Sequence, residues 1–167
     1  DSLDVGSRHL EQRHNVTQNR ERVLQALQRS ESHWISARQI HGIDIIQVTA
    51  NAGRSMAADG LLTYDARVTL GVLSADCIPI LLTDKHGQVV ASVHAGWRGT
   101  RDKIVQQMVL RLETLGIPAE SLLVALGPCI RACCFTIGEE VAQALHEGTG
   151  IIGDNIIYQT PEETYRA

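Results

Sequence analysis

The stretch LGVLSADCIPILLTDKHGQVVASVHAGWRG, residues 70–99, places a cysteine and a histidine at the ends of two consecutive predicted strands. The apolar runs 78–83 and 89–93 flank the turn sequence at 84–87, a pattern typical of a β-hairpin. A further short strand is predicted over 72–74, before a kink. The stretch therefore predicts the centre of a sheet with reactive side chains at one edge.

The residues at the kink favour a polar site. Because Pro79 cannot donate a ladder hydrogen bond, strand pairing is expected to be interrupted there, which lets the Cys77 side chain leave the sheet. The second arm ends in HAGWRG at 94–99, whose two glycines permit a tight path into a helix predicted over 100–115. A thiol and an imidazole thus adjoin an arginine-bearing helix entrance.

The 167 residues are enough for one sizeable core, which predicts a single domain over 1–167. A net charge of −4 and the lack of a basic run argue against a nucleic-acid partner. The sequence contains neither an apolar run of about 20 residues nor a signal-peptide pattern, which predicts a cytoplasmic protein without a membrane contact. Because the chain begins with Asp1 and breaks off where a new element starts, we expect truncation at both ends.

The remaining periodicity predicts an α+β domain in which helices cover a mixed, largely hairpin-linked sheet. The helices predicted besides 100–115 are an amphipathic one from Asn15 and one over 139–146. The further predicted strands cover 34–40 and 43–48, broken at His41-Gly42, then 61–63, 66–70 and a buried strand over 122–126.

Three potential ligands stand at predicted strand ends: His41, Cys77 and His94. Two imidazoles and a thiolate can form a zinc or copper site that leaves a fourth position for water or substrate. Each residue also has an ordinary structural explanation, as a turn histidine, a small buried hydrophobe and a strand-end histidine bonded to the backbone. Spacing alone leaves both interpretations open.

A catalytic site without a metal is also compatible with these residues. Cys77 can act as a nucleophile with His94 as its base, and Asp76 or His41 can orient that base. Arg98, at the helix entrance, can hold a phosphate or a carboxylate, or form a surface salt bridge.

The four cysteines are predicted to be free thiols, because Cys133 and Cys134 are adjacent and Cys77 and Cys129 occupy unlike contexts. A second metal cluster at Cys129, Cys133 and Cys134 is disfavoured, since an adjacent cysteine pair is a poor chelate.

Five motifs, in order along the chain, resemble those of the YfiH family, also called the polyphenol oxidase or laccase-domain family, which includes bacterial purine nucleoside phosphorylases. They are RQIHG at 38–42, ADG at 58–60, SADCIPILL at 74–82, HAGWRGT at 94–100 and GPCIRACCFTIGEEV at 127–141. The TTR-and-glycine segment and the CT-containing, arginine-rich segment usual at the family's ends are absent, in keeping with the expected truncation.

The resemblance implies one α+β domain in which His41, Cys77 and His94 bind zinc, with copper as the alternative. It implies phosphorolysis of adenosine, inosine and methylthioadenosine, with adenosine deamination as a side activity, so nucleoside and phosphate are the expected partners. Arg98 and Gln39 are the candidates for substrate or phosphate binding, and Cys77, His94 and Asp76 for catalysis.

Three alternatives stay open under this resemblance. They are copper-dependent phenol oxidation, a Cys-His hydrolase linked to peptidoglycan fidelity, and a non-catalytic module that binds nucleoside or metal. Multi-copper chemistry is the less compatible with the sequence, because the seven histidines include no His-X-His pair to bridge coppers. The oligomeric state is not predicted.

Overall fold

The computed structural model describes residues 13–29, 33–53, 56–150, 158–159 and 165–166, and in this part of the chain it has the predicted α+β fold. The helices are α1 (Arg13–Ala26), α2 (Trp97–Arg101), α3 (Ile104–Thr114) and α4 (Glu139–Thr149). The strands are β1 (His33–Ile35), β2 (Ile45–Gln47), β3 (Gly60–Thr63), β4 (Val68–Leu70), β5 (Ile78–Asp84), β6 (Val90–Ala95), β7 (Leu122–Leu126), β8 (Thr136–Ile137), β9 (Tyr158–Gln159) and β10 (Tyr165–Arg166).

The predicted hairpin, β5 and β6, lies inside a five-stranded sheet of order β2-β3-β6-β5-β7. The β2–β3 pair is parallel and the other pairs are antiparallel, so the sheet is mixed as predicted. Only β5 and β6 are joined by a tight turn among these pairs; β3–β6 and β5–β7 pair strands that are distant in sequence. Two smaller sheets, β1-β4 and β8-β10-β9, complete the described strands.

One face of the sheet packs on α3, which places three fully buried side chains, Ile104, Met108 and Leu112, against it. Their spacing of four residues puts them on one side of the helix, as the sequence predicted. Their sheet partners include Leu62 and Val93, both 0% exposed. This core fixes β3 and β6 next to each other, and β6 carries His94 of the candidate site.

The single helix predicted over 100–115 is wrong, because two helices occupy this stretch. Lys103 lies between them in a left-handed conformation with φ 63°, and α2 already begins at Trp97. Both helices pack against β6, and the break also lets α2 pack against α4. Tertiary packing therefore overrides the helical periodicity of the sequence.

Two strand predictions also need correction. β7 forms where predicted but is exposed, with Leu123, Val124 and Leu126 at 54%, 55% and 70%. It is one of the two edge strands in the described part of the sheet, and apolar composition alone cannot show which strand lies at an edge. The segment 72–74 is not a strand; Gln39 holds it through both polar atoms of its amide, which bond the Leu73 backbone.

None of the described helices combines the length and the apolar character needed to cross a membrane. The cytoplasmic location stays a prediction.

Candidate metal centre

The structure brings His41, Cys77 and His94 together at the edge where β5 begins and β6 ends. One potential ligand atom from each residue lies within 4.8 Å of the other two. The imidazole ring centroids of His41 and His94 are 4.9 Å apart, with the rings nearly perpendicular. His41 is exposed, Cys77 half-buried and His94 buried, so the cluster opens towards solvent on the His41 side.

The hairpin register places two of the three side chains. His94 pairs with Pro79 across the β5–β6 ladder, and Cys77 lies just before β5 begins. The predicted kink is therefore the start of the strand, where Cys77 is free of the ladder. His41 comes from the turn between β1 and β2, where its own φ of 59° is left-handed.

Asp59 organises the site, and the sequence-based prediction missed it. Its carboxylate accepts the backbone N–H groups of Ile40, His41 and Gly42 at 3.0, 3.0 and 2.8 Å. It also lies 2.8 Å from Nδ1 of His94, and its own side chain is 0% exposed. One buried carboxylate therefore holds the turn that carries one imidazole and the ring of the other.

The contact with Asp59 fixes how His94 can act. An ionised carboxylate only accepts hydrogen bonds, so Nδ1 of His94 donates and Nε2 keeps its lone pair for a metal or a proton. The signal for Asp59 lies in the ADG motif directly before β3. Because Gly60 pairs with Val93 in the β3–β6 ladder, Asp59 is opposite His94. That long-range pairing is not readable from the local pattern.

The electrostatics of the cluster agree with these contacts. Burial alone would raise the pKa of Asp59, but the His94 hydrogen bond and the three backbone N–H groups together keep that pKa below its ordinary value. Burial, and then the negative charges of Asp76 and Asp59, raise the pKa of the Cys77 thiol. A cation beside the sulfur would reverse that effect, because it favours the thiolate.

Because Gly96 has no side chain, it leaves room for the side chains of His41 and Cys77 beside it. A Cβ atom built on Gly96 would lie 2.9 Å from Cδ2 of His41 and 3.1 Å from Sγ of Cys77, both too close for an undisturbed contact. The requirement for glycine at 96 is therefore steric and not conformational, since φ at Gly96 is an ordinary −75°.

The three residues fit a metal ion. Two imidazole nitrogens and a thiolate are a donor set that zinc and copper accept. Bond lengths of about 2.0–2.3 Å put the donors of one tetrahedral ion roughly 3.5 Å apart, which small side-chain rotations reach from the observed spacing. The Asp59–His94 pair supplies the outer hydrogen bond that metal-bound histidines usually make. In the described part of the chain, no other group of three such side chains meets in this way.

Two other predicted site residues, Asp76 and Arg98, are close to the cluster residues in sequence but do not belong to the cluster. Asp76 is exposed, and its backbone oxygen accepts the N–H of Ile130. Arg98 is exposed, with its guanidinium carbon 4.3 Å from the ring centroid of Trp97. A cation stacked in this way keeps its N–H groups available for an anion. Their catalytic and phosphate-binding roles stay predictions.

The last predicted residue, Gln39, lies in the same motif as His41. Its amide is bonded at both ends to the Leu73 backbone, at 2.6 and 2.9 Å. This pairing fixes the segment ahead of Cys77, so Gln39 supports the wall of the site. A direct contact between Gln39 and substrate stays a prediction.

Comparison with known proteins supports the resemblance found in the motifs. The family model described as multi-copper polyphenol oxidoreductase laccase matches residues 1–165. The chain is 35% identical over 154 residues to the purine nucleoside phosphorylase YlmD of Geobacillus stearothermophilus, covering 86% of this chain and 56% of that protein. It is 35% identical over 99 residues to adenosine deaminase RL5 of an unknown prokaryotic organism, covering 59% of this chain and 38% of that protein.

A solved structure shows the same fold. The crystal structure of the hypothetical protein YfiH from Bacillus licheniformis superposes with a TM-score of 0.88 at 28% identity, covering 99% of this chain and 66% of that one. The chain spans little more than half the length of the curated relatives it matches.

Proposed function

The chain belongs to the multi-copper polyphenol oxidoreductase laccase family, and from this membership we propose that it is a zinc-dependent purine nucleoside phosphorylase with adenosine deaminase side activity. The observation that carries the proposal is the convergence of His41, Cys77 and His94 on one point. The proposed substrates are adenosine, inosine and methylthioadenosine. Because the relatives are longer, activity of the chain by itself is part of what is proposed.

One ion suits this donor set better than several. The family description names multiple coppers, but the described residues bring one group of three ligands together. Phenol oxidation by several coppers needs further histidine clusters. The soft thiolate of Cys77 with two imidazoles is compatible with zinc, and copper is the alternative metal.

Each residue near the cluster is assigned a role that follows from its position. A bound zinc would supply a Lewis acid that polarises an oxygen of water or substrate. Asp59 holds His94 in the Nδ1–H form and fixes the His41 turn, so the ligand atoms are aimed before anything binds. Arg98 is proposed to hold the attacking phosphate beside the ribose, and Asp76 to carry a proton to the departing purine.

Incubation with adenosine, with and without phosphate, tests the proposal. Phosphorolysis should give adenine and ribose 1-phosphate only when phosphate is present, and deamination should give inosine in either case. Cys77→Ala should stop both reactions, while Cys129→Ala, a change at a half-buried cysteine outside the cluster, should keep them. Absence of adenine, hypoxanthine and inosine from every incubation contradicts the proposal and favours a non-catalytic binding module.

Chelation separates the metal enzyme from a cysteine hydrolase. A Cys77–His94 dyad needs no metal, so its activity should survive dialysis against a strong chelator. The zinc-dependent enzyme should lose activity on dialysis and recover it when zinc is restored.

A further inference from the structure

A second chemical group lies outside the metal centre, on the loop 127–135 between β7 and β8. Cys133 and Cys134 are both exposed, and their Sγ atoms are 3.1 Å apart. Two thiols at this separation, both accessible to solvent, are placed for chemistry that uses them as a pair. Neither residue contributes to the cluster of His41, Cys77 and His94.

The loop is fixed to the body of the protein ahead of the cysteines. The N–H of Gly127 donates to the carbonyl of Pro79 at 2.8 Å, and the N–H of Ile130 donates to the carbonyl of Asp76 at 3.0 Å. These bonds tie the loop to the start of β5. Its cysteines are consequently carried by an anchored segment.

The cysteine pair itself lies in a closed turn. The N–H groups of Cys134 and Phe135 both donate to the carbonyl of Arg131, at 2.9 and 3.0 Å. The Phe135 side chain then packs in the apolar cluster of α4, which includes Trp97. Because both sides of the turn are held, the two sulfurs meet with little further loss of chain entropy.

We propose that Cys133 and Cys134 form a vicinal dithiol that low-molecular-weight disulfides, such as oxidised glutathione, reversibly oxidise to a disulfide. One thiolate attacks a sulfur of the small disulfide, which breaks that bond and releases one glutathione thiolate. The other cysteine thiolate attacks the mixed disulfide and releases the second glutathione. The protein gives up two electrons and two protons, which appear in two molecules of reduced glutathione.

Covalent geometry makes this bond reversible. Adjacent Cα atoms are about 3.8 Å apart across a trans peptide, less than the roughly 4.4–6.8 Å usual for disulfides. A disulfide closed over one peptide unit is therefore strained and easily reduced, which is typical of labile rather than structural bridges. The pair suits a response to redox conditions and is unsuited to stapling the fold.

Peptide mapping tests the proposal on the full chain, and it does not depend on enzyme activity. Trypsin cleaves after Arg131, so the peptide 132–166 contains Cys133 and Cys134, whereas Cys77 and Cys129 fall in two other peptides. The native chain is first treated with oxidised glutathione and then alkylated. This peptide should then carry no alkyl group, and its mass should be lower by two hydrogen atoms than that of the reduced, unalkylated peptide. Dithiothreitol should restore two alkylation sites.

Variants and a denatured control complete the test. Cys133→Ser or Cys134→Ser should leave a glutathione adduct on the remaining thiol, and Cys129→Ser should still form the bridge. The native chain should close the bridge faster than the same chain in guanidinium, because the loop holds the sulfurs together. Two intact thiols after oxidation, a bridge to Cys77 or Cys129, or equal rates in both states would overturn the proposal.

Discussion

Asp59 and Asp84 are two buried carboxylates at the same sheet, and they have different roles. Each is 3% exposed, and each accepts three backbone N–H bonds from a neighbouring turn. Asp84 closes the β5–β6 hairpin, and within the described part of the chain its carboxylate accepts hydrogen bonds from backbone N–H groups alone. Asp59 has the same arrangement with one addition, the imidazole of His94 at 2.8 Å.

The difference shows what turns a structural device into part of a site. A carboxylate that caps a turn stabilises the backbone wherever it lies. When the capped turn carries His41 and the carboxylate also orients His94, the same bonds place two candidate ligands. The comparison predicts that changes at the two aspartates have similar effects on stability and different effects on metal binding.

The largest effect is expected from removal of the candidate ligand Cys77, whose sulfur lies within 4.8 Å of a nitrogen of each imidazole. Cys77→Ala should lower the proposed phosphorolysis and the metal affinity by more than the about 10–100-fold that loss of an outer hydrogen-bond partner costs. The free energy of unfolding should fall by less than about 1 kcal/mol, because Cys77 is half-buried and lies outside the core clusters. Isothermal titration calorimetry with zinc measures the metal affinity, and urea denaturation measures the free energy of unfolding. Unchanged zinc affinity would exclude Cys77 as a ligand.

Asp59→Asn and Asp84→Asn test the comparison most closely, since both keep the side-chain shape. An amide at 59 can donate to Nδ1 of His94, which moves the ring proton to Nε2 and blocks the ligand atom. Zinc affinity should fall about 10–100-fold in Asp59→Asn and stay at the wild-type value in Asp84→Asn. Equal affinities in the two variants would show that Asp59 only caps its turn.

Gly96→Ala should have a smaller effect, because it disturbs the cluster without removing a donor. The new methyl group would press on Cδ2 of His41 and Sγ of Cys77. We expect zinc affinity to fall about tenfold, as small displacements at a site cost up to about a hundredfold. Gly53→Ala is the matched control, since nothing lies within 4 Å of its added Cβ atom. A neutral Gly96→Ala would mean that the ligands can move aside freely.

The smallest expected effect is shared by both aspartates and appears in the pH dependence of stability. Burial opposes ionisation of Asp59 and Asp84, yet their hydrogen bonds keep both pKa values below the ordinary 3.8. The stabilisation is therefore fully present above the unfolded-state pKa and is lost as pH falls through the lower folded-state pKa. In urea unfolding between pH 5 and pH 2, either Asn variant should lose less stability than wild type. Parallel curves would contradict this assignment.

The central hairpin and two residues of the candidate site are readable from the sequence. The hairpin followed from two apolar runs around a turn sequence, and the positions of Cys77 and His94 at its ends followed from the same pattern. The assignment of His41 to the group came from the family resemblance, because spacing left it open. Contacts between motifs that are far apart in sequence required that resemblance.

The parts that were missed depend on tertiary structure. Asp59 acquires its role only when β3 pairs with β6, which no local pattern reports. The helix break at Lys103 reflects the packing of α2 against α4, and the exposure of β7 reflects its place at the sheet edge. In each case the local pattern left open which neighbour the element would contact.

Cobalt titration of the apo chain is the sharpest test of whether His41, Cys77 and His94 form one metal centre. Cobalt substitutes for zinc and reports thiolate ligation by a sulfur-to-metal absorption band in the near ultraviolet. We predict that this band saturates at one equivalent together with visible bands of tetrahedral intensity, and that it is absent in Cys77→Ala. Binding without the thiolate band, or a band that persists in Cys77→Ala, would contradict the account.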